Sequence, residues 1–289
     1  MITKSVLLLA AAVLSTCITV FAKDPNFHIY LCFGQSNMDG FPGIEDRDKG
    51  EVDKRFQVLT AIDSPQQGRT AGAWYTATPP LARPNAGIGP ADYFGRTMVT
   101  HLPKNVRIGI VLVTIPGGRI EVFQPDKVEA LANDGPDWLK NFIGQYDGDP
   151  YARLIELGKQ AQKDGVIKGI LFHQGESNGG DAEWREKVKS VHDKLLEDLH
   201  LDAKDVPFLV GELVGKDEGG KCAGMNDLIA RFPEQITNAH VISSAGCAAL
   251  PDGLHFTPAG YRLLGTRYAE QMLKLMGKPV ANPVSRAGR

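Results

Sequence analysis

Long runs of one charge are missing from this chain of 289 residues, as are internal repeats and low-complexity tracts. Its 34 acidic and 32 basic residues leave a formal charge of −2, spread along the sequence. Nucleic acid and anionic membrane call for a concentrated basic face, so neither is expected as a partner. Cysteine is scarce, with only Cys17, Cys32, Cys222 and Cys247. Cys32 falls in an apolar run and reads as a buried thiol. Cys222 and Cys247 have the option of pairing in an oxidising compartment, but so few cysteines do not make a disulfide framework. No Cys/His spacing has the form of a zinc site, so no metal is expected.

The first residues have a different character from the rest. Lys4 precedes an apolar stretch, Val6 to Val20, and Val20-Phe21-Ala22 has the form of a signal-peptidase site. The stretch is short for a membrane span and ordinary polar sequence follows it, so a cleaved signal peptide over residues 1–22 is expected. Leu14-Ser-Thr-Cys17 is a loose lipobox, which leaves lipid anchoring as the lesser alternative. Residues 23–289 then form one domain in a secreted or periplasmic protein.

Five runs read as buried strands: Phe27–Phe33, Val106–Ile115, Ile167–His173, Val206–Leu213 and Ala239–Ser243. They are nearly unbroken Val/Ile/Leu sequence rather than alternating, as expected for strands covered on both faces. Amphipathic stretches of helical length lie between and after them: Pro90–His101, Tyr151–Lys163, Asp181–Leu199, Met225–Gln235 and Thr257–Met276. This alternation predicts a three-layer α/β/α fold around a five-stranded parallel sheet. The last helix has a defined start, with Thr257 as N-cap and Pro258 in the first position. Two irregular insertions, Phe41 to Gly87 and Gly117 to Pro150, have the length of functional loops. The first contains two short strand-like pieces, Phe56–Ile62 and Trp74–Leu81, and is placed to wall a cleft.

Chemistry enters where the first strand stops, at Gly34-Gln35-Ser36-Asn37. Ligands bind beyond the carboxyl ends of strands in open α/β sheets, so a serine delivered there is a candidate nucleophile. It needs a base, and the base needs an orienter. Asp252-Gly-Leu-His255, just before the last helix, offers both. Three residues of separation allow the carboxylate to reach the Nδ1 side of the ring and leave Nε2 for Ser36. The α/β-hydrolase elbow is excluded, because Met38 occupies the place of its second glycine. Gly89, ahead of Pro90 and a helix, is a candidate oxyanion donor beside the Ser36 amide. The strand ending at His173 is followed by Gln174-Gly-Glu-Ser-Asn178. Gln174 there offers another oxyanion donor, and Glu176 offers support for His255 or for a substrate hydroxyl. Taken singly, each of these pieces is as easily a polar turn, a helix start or a surface residue.

Together, Gly34-Gln-Ser-Asn-Met38, Gly89-Pro90, Gln174-Gly-Glu-Ser177 and Asp252-Gly-Leu-His255 resemble the acetylxylan esterases of carbohydrate esterase family six. They resemble equally the related sialate O-acetylesterase-like proteins, a branch of the SGNH hydrolases. The resemblance implies a flavodoxin-like sheet with Ser36 as nucleophile, His255 as base and Asp252 as principal orienter, with Glu176 secondary. It also implies an oxyanion hole of Ser36, Gly89 and Gln174, and no cofactor. The expected substrate is acetylated carbohydrate, most simply acetylated xylan or its oligosaccharides. A sialate O-acetylesterase and a carbohydrate-binding protein with a degenerate site are the alternatives. Asn37, Arg119 and Asn178 are candidate substrate contacts. Arg119 stands where many relatives have Thr or Ser, and Asn178 where Asp is frequent, so both bear on substrate identity. Nothing in the sequence sets an oligomeric state.

Overall fold

The strand Phe27–Gly34 (β1) sorts its side chains between two cores. Phe27, Ile29, Leu31 and Phe33 enter one apolar cluster, while Tyr30 and Cys32 enter another on the opposite face. A strand alternates its side chains, so both faces of the sheet must be covered. A computed structural model of the chain, describing residues 23–41 and 43–278, shows that cover. The expected signal peptide and Cys17 lie outside the described residues. Among those described, no helix is long and apolar enough to cross a membrane.

Seven strands make one sheet: β1, then Phe56–Leu59 (β2), Trp74–Thr76 (β3), Arg107–Thr114 (β4), Val166–His173 (β5), Phe208–Gly211 (β6) and Ala239–Ile242 (β7). Their order is β3-β2-β4-β1-β5-β6-β7, and every pair is parallel except β2 with β3. The five strands read from sequence form its parallel centre in flavodoxin-like order. The sheet is larger by β2 and β3, which come from the first insertion. Those pieces are too short to be distinguished from loop by apolar run length, and gain their place by pairing at the edge beside β4.

The helices are Ser36–Asp39 (α1), Pro90–His101 (α2), Val128–Asp134 (α3), Asp137–Gly144 (α4), Pro150–Asp164 (α5), Trp184–Asp198 (α6), Asn226–Ile229 (α7) and Pro258–Leu275 (α8). Phe94 and Met98 of α2 and Leu264, Tyr268 and Met272 of α8 cover one face; Leu154 and Leu157 of α5 and Val188 and Leu195 of α6 cover the other. Thr257 caps α8 by accepting from Gly260 N at 3.1 Å, with Pro258 at the first position. The helix expected over Met225–Gln235 is interrupted. Only α7 is α-helical there, and Phe232–Glu234 forms a 3₁₀ turn around Pro233, which lacks an amide hydrogen to continue the ladder. Cys32, Cys222 and Cys247 are all free thiols, so the pairing open to Cys222 and Cys247 is not made.

The order of the parallel strands reverses at β1, between β4 and β5, and that is where an open sheet parts its loops to form a crevice. Gly34 closes the approach of β1 to β5. Its φ is +151°, and a Cβ there would stand 2.1 Å from the His173 carbonyl oxygen. The Gln35 amide donates to that same oxygen at 3.1 Å. Gly34→Ala should therefore push the nucleophile turn off the end of β5. The expected cost is about 2 kcal/mol or more, with Tm lower by at least about 4 °C and esterase turnover depressed. Thermal melts of the purified variant check this, and an unchanged Tm would refute the tight-approach argument.

Candidate active site

α1 is a single turn that begins on Ser36, so it presents the hydroxyl at the mouth of the crevice while burying its neighbours. Ser36 is 8% exposed, whereas Asn37 and Met38 are fully buried. The second part of the site comes from the loop after β7. An isolated bridge between Ala249 and Phe256, with Leu250 N donating to His255 O at 2.7 Å, narrows this loop into a hairpin-like finger. Phe256 is buried in the core beside His255 and anchors it. Asp252 and His255 thus face the Ser36 turn from 219 residues away.

Ser36 Oγ lies 2.9 Å from His255 Nε2, and His255 Nδ1 lies 2.7 Å from Asp252 Oδ2. A carboxylate only accepts, so Nδ1 carries the proton and Nε2 faces the serine as acceptor. The other Asp252 oxygen accepts from the backbone amides of Leu254 and His255 at 2.9 and 3.0 Å. Burial works against the Asp252 charge, but the His255 ring and these two amides outweigh it and hold the carboxyl below its ordinary range. The aspartate is thereby charged and fixed in direction, as an imidazole orienter needs to be.

Glu176 takes another place than the one expected. It makes no contact with the His255 ring. Its Oε1 accepts from Asn37 Nδ2, which also donates to the Leu254 carbonyl at 2.8 Å, while the Tyr261 hydroxyl donates to Asn37 Oδ1. Support from Glu176 reaches the base loop only through Asn37. Asn37 is consequently a positioning residue at full burial, not a substrate contact. Glu176 Oε2 has no partner among the described residues, and the neutral, buried His173 ring is 3.9 Å from Oε1, beyond hydrogen-bond reach. Burial raises the Glu176 carboxyl to about 7.

Gln174 is also spoken for. Its Oε1 accepts from the indole N–H of Trp184 at 2.6 Å, which fixes the amide's direction because an indole can only donate. Its Nε2 then donates to Asn178 Oδ1 at 2.7 Å and Gln35 Oε1 at 3.1 Å, and it does not line the cleft. Gln174 is therefore a scaffold for Gln35 rather than an oxyanion donor. Gly89 is displaced too. It packs behind the nucleophile turn, where a Cβ would meet the Met38 carbonyl at 2.9 Å, because α2 runs down from there along the sheet face. Asn178 is fully buried, accepting from Ile120 N and donating to Glu121 and Asp181, so it shapes the loop instead of meeting substrate. Arg119 stands half-exposed on the rim, but its guanidinium already binds the Ser177 carbonyl, Asp181 and Glu121 at 3.1 to 3.4 Å.

Three residues that the sequence reading did not single out complete the site. Gly117 lines the cleft opposite Ser36, and its amide has no acceptor among the described residues. Gln35 lines it with an amide whose oxygen is held by Gln174. Phe41 stacks on the His255 ring, with centroids 3.9 Å apart and planes 12° from parallel. Only adjacency to Ser36 hinted at Gln35 and Phe41; Gly117 carried the signal of a glycine pair after β4. The cleft holds about 300 Å³ and no lysine or arginine lines it.

With this geometry in view, comparison with known proteins is decisive. The family model for carbohydrate esterases described as sialic acid-specific acetylesterase matches residues 26–274. The chain belongs to this family. A probable carbohydrate esterase from Arabidopsis thaliana is 24% identical over 262 residues, which is 86% of this chain and 91% of that one. The solved structure of the Arabidopsis thaliana protein superposes with a TM-score of 0.65 at 20% identity, covering 87% of this chain and 99% of that one. A carbohydrate acetylesterase from Xanthomonas citri gives 0.59 at 20% identity, over 85% of this chain and 55% of that one. NanS gives 0.60 at 16% identity, over 88% and 98%. At such identities these structures establish the fold, an SGNH-like α/β sheet; the family itself is one of esterases acting on carbohydrate.

The raised Glu176 carboxyl yields a pH prediction. A folded acid that titrates near 7 instead of its ordinary 4.5 holds its proton more tightly than in the unfolded chain. Its contribution to stability is therefore fully present below about 4.5 and is lost as pH rises through about 7. Glu176→Gln keeps the hydrogen bond from Asn37 and removes the titration. Urea melts at pH 5 and pH 8 should show the variant losing less stability between the two than the parent, by on the order of 2 kcal/mol. Equal losses in both proteins would show that Glu176 does not titrate in that window.

Proposed function

We propose that this carbohydrate esterase removes acetyl groups from neutral sugars, acetylated xylan or xylo-oligosaccharides first among them, through an acetyl-enzyme. The reading rests on the chain from Ser36 Oγ to His255 Nε2 and from His255 Nδ1 to Asp252. Ser36 Oγ attacks the acetyl carbonyl carbon as its proton passes to His255 Nε2. The backbone amides of Ser36 and Gly117 are the donors offered to the developing oxyanion. Collapse of the tetrahedral intermediate breaks the bond to the sugar oxygen, and the imidazolium returns its proton to that oxygen. Water then attacks the acetyl-enzyme by the same route, releasing acetate and restoring the serine. Asp252 does not exchange a proton; it fixes the tautomer and stabilises the imidazolium.

Charge supports a neutral substrate over sialate. A sialic acid carries a carboxylate, yet no cation lines the cleft and Glu176 is in its wall. Arg119, the candidate partner on the rim, is already shared among two carboxylates and a carbonyl. Burying another anion beside unpaired acceptors is unfavourable. A signal peptide over residues 1–22 would bring the enzyme to the compartment where polymeric xylan is met.

Two measurements test this reading. Ser36→Ala should lower kcat by roughly 10³-fold or more with the melt unchanged, since the hydroxyl sits on a rim and not in a core. Near-native turnover by that variant would remove Ser36 from the mechanism. Acetate release from a matched panel should give a kcat/KM for acetylated xylo-oligosaccharide at least about tenfold above that for O-acetylated sialic acid, a difference of about 1.4 kcal/mol. The reverse order would assign the protein to sialate instead.

A further inference from the structure

Four large apolar side chains are exposed among the described residues, and the two most exposed are both aromatic: Phe41 at 55% and Trp138 at 47%. Scattered single exposures mean little, but these two converge on one cleft. Phe41 places one ring face on His255 and leaves the other face open, and it is itself part of the cleft wall. Trp138 lies over Gly117, on another wall of the same cleft. A Cβ on Gly117, whose φ is +69°, would stand 3.1 Å from the indole ring. One ring comes from each of the two insertions that interrupt the α/β alternation.

Neither ring is loosely held. Phe41 follows Gly40, whose amide donates to Ser36 O at 2.9 Å and whose carbonyl accepts from Gly87 N at 2.7 Å. Trp138 is carried by α4, whose Leu139 and Ile143 are buried in the core. Its indole meets the Phe142 ring at 6.4 Å and 68°, and Arg83 lies over that ring at 4.7 Å. Rings set in place beforehand lose little freedom on binding.

From this arrangement, and resting on the carbohydrate-esterase reading above, we propose that Phe41 and Trp138 form a two-sided platform for a neutral pyranose ring of the saccharide next to the scissile acetyl. A pyranose has a face of C–H bonds and a rim of hydroxyls. Its C–H face buries apolar area against an aromatic ring while the hydroxyls stay in water. The cleft beside Ser36, at about 300 Å³, takes the acetyl group, and the sugar rests at the mouth between the two rings. The indole N–H of Trp138, with no acceptor among the described residues, is free to donate to a sugar hydroxyl.

The test separates binding from chemistry. In a Ser36→Ala protein, unacetylated xylotetraose should quench indole fluorescence and bind measurably by calorimetry. Adding Trp138→Ala or Phe41→Ala should weaken that affinity by about tenfold, while Trp138→Phe should retain most of it. In proteins that keep Ser36, both alanine changes should lower kcat/KM for acetylated xylo-oligosaccharide at least about fivefold more than for p-nitrophenyl acetate, chiefly through KM. Equal losses on the two esters, or xylotetraose affinity unmoved or undetectable in the Ser36→Ala protein, would overturn the platform. Failure of the parent enzyme to hydrolyse either ester would instead remove the esterase reading, and the xylotetraose titration would still decide the platform.

Discussion

One side-chain amide refers three distant segments of the chain to each other. Asn37, next to the serine, donates to Glu176 after β5 and to the Leu254 carbonyl in the base loop, and accepts from Tyr261 in α8. It is fully buried, so each of these groups would cost free energy if left unpaired. The serine, the histidine and the end of β5 therefore cannot drift independently. Catalytic groups placed by separate loops need this kind of shared reference, because an error of about 1 Å at the reacting atoms already lowers the rate severely.

Much of this was readable beforehand, for identifiable reasons. Buried parallel strands are nearly pure Val/Ile/Leu/Phe, so the centre of the sheet from β1 to β7 stood out, and Thr257-Pro258 marked the start of α8 to the residue. Ser36, Asp252 and His255 were found because nucleophilic chemistry demands a fixed set of residue types. The strands β2 and β3 were too short to carry a period, and the helix expected over Met225–Gln235 gave way at Pro233. The roles of Gly89, Gln174, Asn37 and Asn178 were missed for a common reason: residue type shows which groups can donate, but not which acceptors occupy them. Gln174 has the right amide, and Trp184, ten residues away, fixes it elsewhere.

The corrections also change how the polar residues around the cleft should be viewed. Gln174, Asn178, Glu121, Asp181 and Lys187 form a connected group beneath the rim, with Lys187 within 2.9 Å of both Glu121 and Asp181. Satisfied networks of this sort are rigid. They leave the cleft itself with few polar side chains and a mostly apolar wall in which Phe41 and Leu254 take part. Such a wall suits a methyl-bearing acyl group, and the polar groups that remain, Ser36, His255 and Gln35, are those that can act on its carbonyl.

The Ser36–His255 contact spans 219 residues of chain, and the Tyr261–Asn37 bond spans 224. Contacts so remote in sequence form only after the intervening loops have closed, which makes them late events in folding. A nascent chain lacking its last thirty or so residues would have the serine and most of the sheet but neither base nor α8. Hydrolytic competence would then appear all at once, when the C-terminal segment docks against the strand laid down first. Unfinished or C-terminally clipped copies would be silent rather than partly active, so the order of the chain itself acts as a check on completeness.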